Sequence, residues 1–276
     1  MVVLGDDGSS GISLSVGGNF NNSRGTVTLD GMSNGISVGG AFNNNRGTVI
    51  LNGTGDTLSV GTFSNSGWVS VGSNETLTVQ NNYTQDAGAK LNVDGTLTAA
   101  TATINTGTVS GSGTIIANVS NVGGRVTASD SGIPEILTII GNYTQGSGGT
   151  LEAFLGGTAA GTGYSQLVVG GTATLDGKLD VDLVSGFDPT LDENFFLLTS
   201  TGTSLVSGDF SNLELPSGDA WLVSYNLGCP TGTTGCVDLT YEGEAHVPEP
   251  STFLLLALGM AAMAILVRYR HTALGF

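Results

Sequence analysis

Cationic side chains are the scarcest chemistry in this 276-residue chain, with seven lysines and arginines set against 23 carboxylates. All 23 acids precede Ser251, whereas only Arg24, Arg46, Lys90, Arg125 and Lys178 among the bases do, so the first 250 residues carry a net charge of −18. A body that negative repels phosphate backbones and excludes nucleic acid as a partner; it suits divalent cations, or simply keeps the protein soluble. Histidine is nearly missing too. His246 and His271 both lie near the C-terminus, so the rest of the chain lacks the base of a Ser-His-Asp triad. The two cysteines, Cys229 and Cys236, are separated by Pro-Thr-Gly-Thr-Thr-Gly. Zinc would need two further ligands and a redox motif a tighter spacing, which leaves a disulfide stapling a short loop in an oxidising compartment. Helical periodicity is absent before Phe253, and with it any Gly-rich phosphate loop that opens a helix.

What is abundant is glycine, at 45 residues, together with Ser, Thr and Asn, while charged residues make up only 11%. The 39% of hydrophobic residues allow a sizeable core, solvated by hydroxyls and amides rather than by charge. These residues repeat. Val16-Gly-Gly-Asn-Phe20-Asn-Asn-Ser-Arg24-Gly-Thr-Val-Thr-Leu-Asp-Gly recurs 22 positions later as Val38-Gly-Gly-Ala-Phe42-Asn-Asn-Asn-Arg46-Gly-Thr-Val-Ile-Leu-Asn-Gly. Looser copies begin at Val60 and Val79, and the Asn-Tyr-Thr-Gln tetrapeptide at Asn82 returns at Asn142. Periods of this size mean a solenoid.

Within each period the apolar residues alternate over three to five positions, as in Leu14/Val16, Ile36/Val38, Leu58/Val60 and Leu77/Val79. Alternation is the signature of a strand, and Gly, Asn, Asp and Ser supply the corners between strands. The chain is therefore expected to be all-β, a right-handed parallel β-helix over residues 1–150. Seven coils spaced by about 4.8 Å would make a rod of roughly 30–35 Å. Phe20, Phe42, Phe63, Tyr83 and Tyr143 are expected to stack as an internal aromatic ladder, with Asn21, Asn43 and Asn81 as an amide ladder at a corner. With Asn-Tyr-Thr-Gln followed by Gly and Leu, the stretches 77–93 and 137–151 resemble the passenger-associated repeats of autotransporter β-helices.

From Leu151 the period is lost and the apolar runs lengthen. Residues 151–244 are expected to form a C-terminal cap of mainly antiparallel β character, since a solenoid must cover its last open edge. Asp180 and Asp182, on the same side of a strand, are the candidates for a catalytic pair, but Leu179, Val181 and Leu183 claim the inner face and would leave both acids solvated. Asp56 is the one calcium candidate. Asn52-Gly-Thr-Gly-Asp56-Thr-Leu58 is similar to the nonapeptide of RTX β-rolls, but those cages form between successive copies and there is one imperfect copy here. It reads as a tight turn, and no cofactor is expected.

The far end of the chain differs from all this. No residue from Ser251 to Val267 is charged. As a helix these seventeen positions would be about 25 Å long, the short end of a membrane span. No polar stripe marks them as the buried helix of a soluble domain. Arg268 and Arg270 follow as membrane-stop residues and place the tail 268–276 on the cytoplasmic side. Pro248 and Pro250 flank Glu249 in the linker 245–250 and keep it extended. A Pro-Glu-Pro motif, a short span and a basic end in that order resemble the PEP-CTERM sorting signal of exopolysaccharide-producing Gram-negative bacteria. The resemblance implies recognition by an exosortase, a membrane cysteine transpeptidase, with cleavage near Pro248, Glu249 and Pro250. It further implies an inner-membrane precursor, then delivery to the cell surface or extracellular matrix. Met1-Val-Val-Leu-Gly-Asp-Asp contains no secretory leader, so the expectation is that this chain is truncated or begins at a misplaced start codon.

The function expected from these features is that of a non-enzymatic exported protein, structural or adhesive, with exopolysaccharide as a candidate partner. An enzyme acting on matrix polysaccharide is the alternative, and would require carboxylates converging on one groove. A permanently anchored binding module is the second alternative.

Overall fold

The structure is a computed structural model that describes residues 1–5, 8–86, 88–184 and 186–244. Among these residues every element is a strand. Two long sheets wind around one interior. In a ten-stranded sheet all pairings are parallel, running from Val2–Leu4 through Thr26–Leu29, Thr48–Leu51 and Trp68–Val71 to Lys178–Leu183 and Asn212–Glu214. The other, of 15 strands, starts at Ser13–Val16 and ends in the pair Gly235–Glu244 and Asp219–Tyr225. The molecule is thus the expected parallel β-solenoid, with seven coils between Ser13 and Leu155.

Period-two alternation decides which side chains enter the rod. Leu14, Ile36, Leu58, Leu77, Leu97, Ile115 and Ile139 fall in register as one column. Val27, Val49, Val69, Leu91, Val109, Val126 and Leu151 form another. Nearly all are buried, and burying each such side chain contributes about 1.5–3 kcal/mol. Since each rung packs only on the rungs above and below, this energy couples neighbouring coils.

The aromatic column is shorter than the sequence suggests. Phe20, Phe42, Phe63 and Tyr83 stack with ring centroids 4.9, 4.8 and 5.6 Å apart. Tyr83 is then followed in register by Ala102 and Val119, and only after them by Tyr143, so Tyr143 belongs to the column without touching the other rings.

The amide ladder is displaced by one residue from the expected positions. An inward Phe20 forces Asn21 outward and brings Asn22 back inside. Asn22 Nδ2 donates to Asn44 Oδ1 at 2.9 Å, Asn44 Nδ2 donates to Asn65 Oδ1 at 2.9 Å, and all three side chains are buried. The column continues in register with Gln85. The Asn-Tyr-Thr-Gln tetrapeptide now has a physical meaning: its tyrosine enters the aromatic column and its glutamine the amide column. The hydroxyls of Tyr83 and Tyr143 donate to Gln85 and Gln145 Oε1 at 2.9 and 2.7 Å. Outside, Asn43 donates to Asn21 at 2.7 Å in solvent, and Asn81 donates elsewhere, to the Gly61 carbonyl. The ladder presses against the following turn so closely that a Cβ at Gly47 would lie 2.3 Å from Asn22 Nδ2 and 2.6 Å from Asn44 Oδ1. Glycine is needed there for space.

The loss of period at Leu151 is a widening of the coil rather than an end to it. Thr150–Leu155 pairs in parallel with Lys178–Leu183, and that strand with Asn212–Glu214. Along the first-strand column, Ile139 to Val169 and Val169 to Ser200 take 30 and 31 residues, against 22 from Leu14 to Ile36. Within the two long sheets, antiparallel pairing occurs only at the far end, where Asn194–Ser200 meets Gly235–Glu244 and that strand meets Asp219–Tyr225. Phe195 fills the interior beneath them, edge-on to Tyr164 and Phe187. Cys229 and Cys236 are disulfide-bonded, with Cα atoms 5.6 Å apart, and close the loop between the last two strands.

Among the described residues no helix is long and apolar enough to cross a membrane. The linker 245–250 with Pro248, Glu249 and Pro250, the expected span 251–267, and the tail with Arg268 and Arg270 lie outside the described residues.

Candidate functional site

Outward-facing residues of the ten-stranded sheet form columns of their own. Thr48, Trp68, Lys90, Thr108, Arg125, Thr150 and Lys178 follow one another coil by coil. Two residues further along each strand stand Ser70, Asn92 and Ser110, and then Thr127, Glu152, Asp180 and Glu214. Three of the five bases that precede Ser251 are therefore gathered on one face. The ion pairs of the described residues are here as well. Arg125 pairs with Glu152 and reaches Asp180 at 3.5 Å, while Lys178 holds Asp180 at 2.9 Å and Glu214 at 2.6 Å. Both carboxylates raise the pKa of the Lys178 ammonium, Glu214 by the larger amount.

A groove of about 700 Å³ runs over this face, from Trp68 at one end to Glu152 and Phe154 at the other. Its floor is polar: Asn92 Nδ2 donates to Asp94 at 2.7 Å, and Ser110 Oγ donates to Asn92 Oδ1 at 3.0 Å. One wall is a small hairpin in which Ser129 and Asp130 pair antiparallel with Pro134 and Ile133. Its two-residue turn, Ser131 and Gly132, has φ values of +51° and +86°, the left-handed pair that a tight hairpin demands. Gly132 faces the ring of Phe154, so the hairpin leans on the sheet and leaves a concavity beside it.

Two lining residues stand out. Trp68 is 47% exposed at the start of the strand Trp68–Val71, although a ring of that size is ordinarily well covered. Thr127 is 5% exposed, lines the groove, and has a hydroxyl with no hydrogen-bond partner among the described residues. Sequence reasoning missed both, and missed the hairpin. A signal for it was present: Ile115 to Ile139 spans 24 residues where Leu97 to Ile115 spans 18, and the six-residue excess equals the length of the hairpin 129–134.

The acids weighed from sequence are placed differently. Asp180 is not solvated; it is 8% exposed because Lys178 and Arg125 cover it, while Asp182 faces solvent. Asp56 is fully buried at a corner, where its Oδ1 accepts the Asn34 N–H at 2.7 Å from the preceding coil. Glu75 follows it in register and is also buried. Burial raises the Glu75 pKa, and the backbone amides of Asp56 and Gly55 oppose that rise without reaching hydrogen-bond geometry. No group of three or more His, Cys, Asp or Glu side chains comes together among the described residues, and two carboxyls fall short of the six to eight oxygens of a calcium cage. A second depression of about 470 Å³ lies at the corner of Arg24 and Arg46, both in the left-handed region at φ +60° and +56°.

The described residues define a parallel β-solenoid with a laterally open groove. Residues 246–270 match the model of the PEP-CTERM protein-sorting motif, in the segment that carries the Pro-Glu-Pro. The chain thus bears the signal of an exosortase-sorted exported protein. No curated protein matches it.

Proposed function

We propose that this protein is a structural or adhesive component of the cell surface or extracellular matrix, delivered there through exosortase cleavage near Pro248, Glu249 and Pro250. The observation that carries the reading is the sorting motif placed directly behind a self-supporting β-solenoid. In the precursor, residues 251–267 cross the inner membrane with Arg268 and Arg270 on the cytoplasmic side. The matrix partner is exopolysaccharide, met by faces on which Thr, Ser and Asn point outward.

The role is non-catalytic. Support comes from how the carboxylates of the grooved face are engaged: Glu152 is held by Arg125 and Asp180 by Lys178 and Arg125, while Asp130 on the hairpin wall accepts from the Ser131 hydroxyl. Glycoside hydrolysis takes a pair of carboxyls with one free to move a proton, and Asp130 has no free partner in the lining. Intact-mass analysis of the native product from fractionated cells tests the proposal. The expected species lacks the residues beyond the Pro-Glu-Pro segment and is found with the surface or matrix fraction. An intact chain free in the cytosol would refute it, and an intact chain retained in the membrane would establish the permanently anchored alternative.

A further inference from the structure

The geometry points to the groove between Trp68 and Phe154 as a binding site for a neutral, linear oligosaccharide lying along the rod axis. The inference rests on the exopolysaccharide reading for the source of that ligand. Its own support is local. Trp68, Lys90, Thr108, Arg125 and Thr150 stand on five successive coils. At about 4.8 Å per coil they span roughly 19 Å, the length of about four pyranose units in a chain whose repeat is close to the coil spacing. A sugar presents one apolar C–H face and a rim of hydroxyls. The exposed ring of Trp68 offers a flat apolar platform at one end, and the Phe154 ring closes the other. Between them Asn92 and Ser110 offer amide and hydroxyl groups at coil intervals.

Thr127 lines the same wall with a buried hydroxyl that has no partner among the described residues. A sugar hydroxyl reaches it only where the wall opens, and the bond then recovers about 1–3 kcal/mol. Charge selects among glycans: Arg125 and Lys178 are compensated by Glu152, Asp180 and Glu214, and the remaining base of this face, Lys90, is matched by Asp130 on the wall, so the groove itself carries no net positive charge. With −18 over the first 250 residues, a polyuronate is repelled on approach and a neutral chain is not.

The test uses the full chain, purified in detergent, against a panel of neutral hexasaccharides (β-1,4-, β-1,3- and α-1,6-linked glucose, mannose and galactose oligomers) and an oligogalacturonate, followed by calorimetry. At least one neutral hexasaccharide should bind. Trp68→Ala should weaken it roughly tenfold and Thr127→Val roughly threefold. Both variants should keep the parent melting temperature or, for Thr127→Val, exceed it. The inference is overturned if no neutral member binds at up to about 10 mM, if only the oligogalacturonate binds, or if Trp68→Ala leaves the affinity unchanged. Failure here with a processed, surface-located product removes the site and leaves the delivery reading standing. Binding by a chain that stays in the cytosol does the reverse.

Discussion

Replacing Asn44 by aspartate changes one NH₂ to an oxygen and leaves shape nearly untouched, which makes it a clean probe of the amide column. Asn44 Nδ2 donates to Asn65 Oδ1 at 2.9 Å, to the Gly47 carbonyl at 3.1 Å and to the Trp68 carbonyl at 3.2 Å. Its own Oδ1 accepts from Asn22 at 2.9 Å. The carboxylate keeps that last bond and turns three attractive contacts into oxygen facing oxygen, in a site 1% exposed. Two amide protons serve these three acceptors, so at about 1 kcal/mol per neutral hydrogen bond the direct loss is about 2 kcal/mol, before any cost of burying charge. For a chain of this size that lowers the melting temperature by roughly 4–8 °C. The sign with pH follows from burial: the new carboxyl has its pKa raised in the folded state, so the penalty is full at pH 8 and shrinks as pH falls and the group protonates. Circular dichroism melts of parent and Asn44→Asp at pH 8 and pH 5 measure both effects. Hydrogen exchange should locate the loosening in the coils of Asn22, Asn44 and Asn65, because coupling runs between neighbours. A variant that melts within 1 °C of the parent at pH 8, or one whose deficit does not shrink on acidification, would refute the idea that these amides hold the corner.

Two further expectations concern the same interior. Phe42→Ala, which empties an inner position of the four-ring stack, should cost about 3–5 kcal/mol plus the lost ring contacts. Phe20→Ala, at the half-buried end of the stack, should cost clearly less, and equal melting temperatures would deny the ladder an energetic role. Burial raises the carboxyl pKa values of Glu75, Glu135 and Asp238, with Asp56 adding to the shift of Glu75, and Asp94 and Asp130 to that of Glu135. A raised folded-state value disfavours folding above it and relents below, so the parent should grow more stable from pH 8 toward pH 5. Glu75→Gln should be more stable at pH 8 and show a shallower slope, and a flat parent profile would contradict the assignment.

The solenoid was legible because its rule is local: short alternating runs and a repeated 22-residue sentence fix which side chains point inward. The same rule, applied strictly, would also have moved the amide ladder from Asn21 and Asn43 to Asn22 and Asn44, two residues beyond each inward phenylalanine. The widened coils beyond Leu151 were harder to see, since parallel pairing over 30 residues leaves no short period to detect. The groove was illegible for a different reason. Its residues come one per coil from outward positions that look like ordinary solvated surface, and only the odd Trp68 among threonines and lysines hinted at it. Asp180 was misjudged because one cation that covers it, Arg125, is 55 positions away in sequence and adjacent only once the coils stack, while the other, Lys178, stands two positions before it on the same strand face.

The register of Phe20 on Phe42, Asn22 on Asn44 and the matched left-handed Arg24 and Arg46 has a genetic corollary. A coil that fits its own copy in every column can be duplicated or deleted as one in-frame cassette, with the joint already compatible on both sides. Rod length is then a trait that replication slippage alone can adjust, in steps of one coil, while the disulfide-closed cap and the export tag are inherited unchanged.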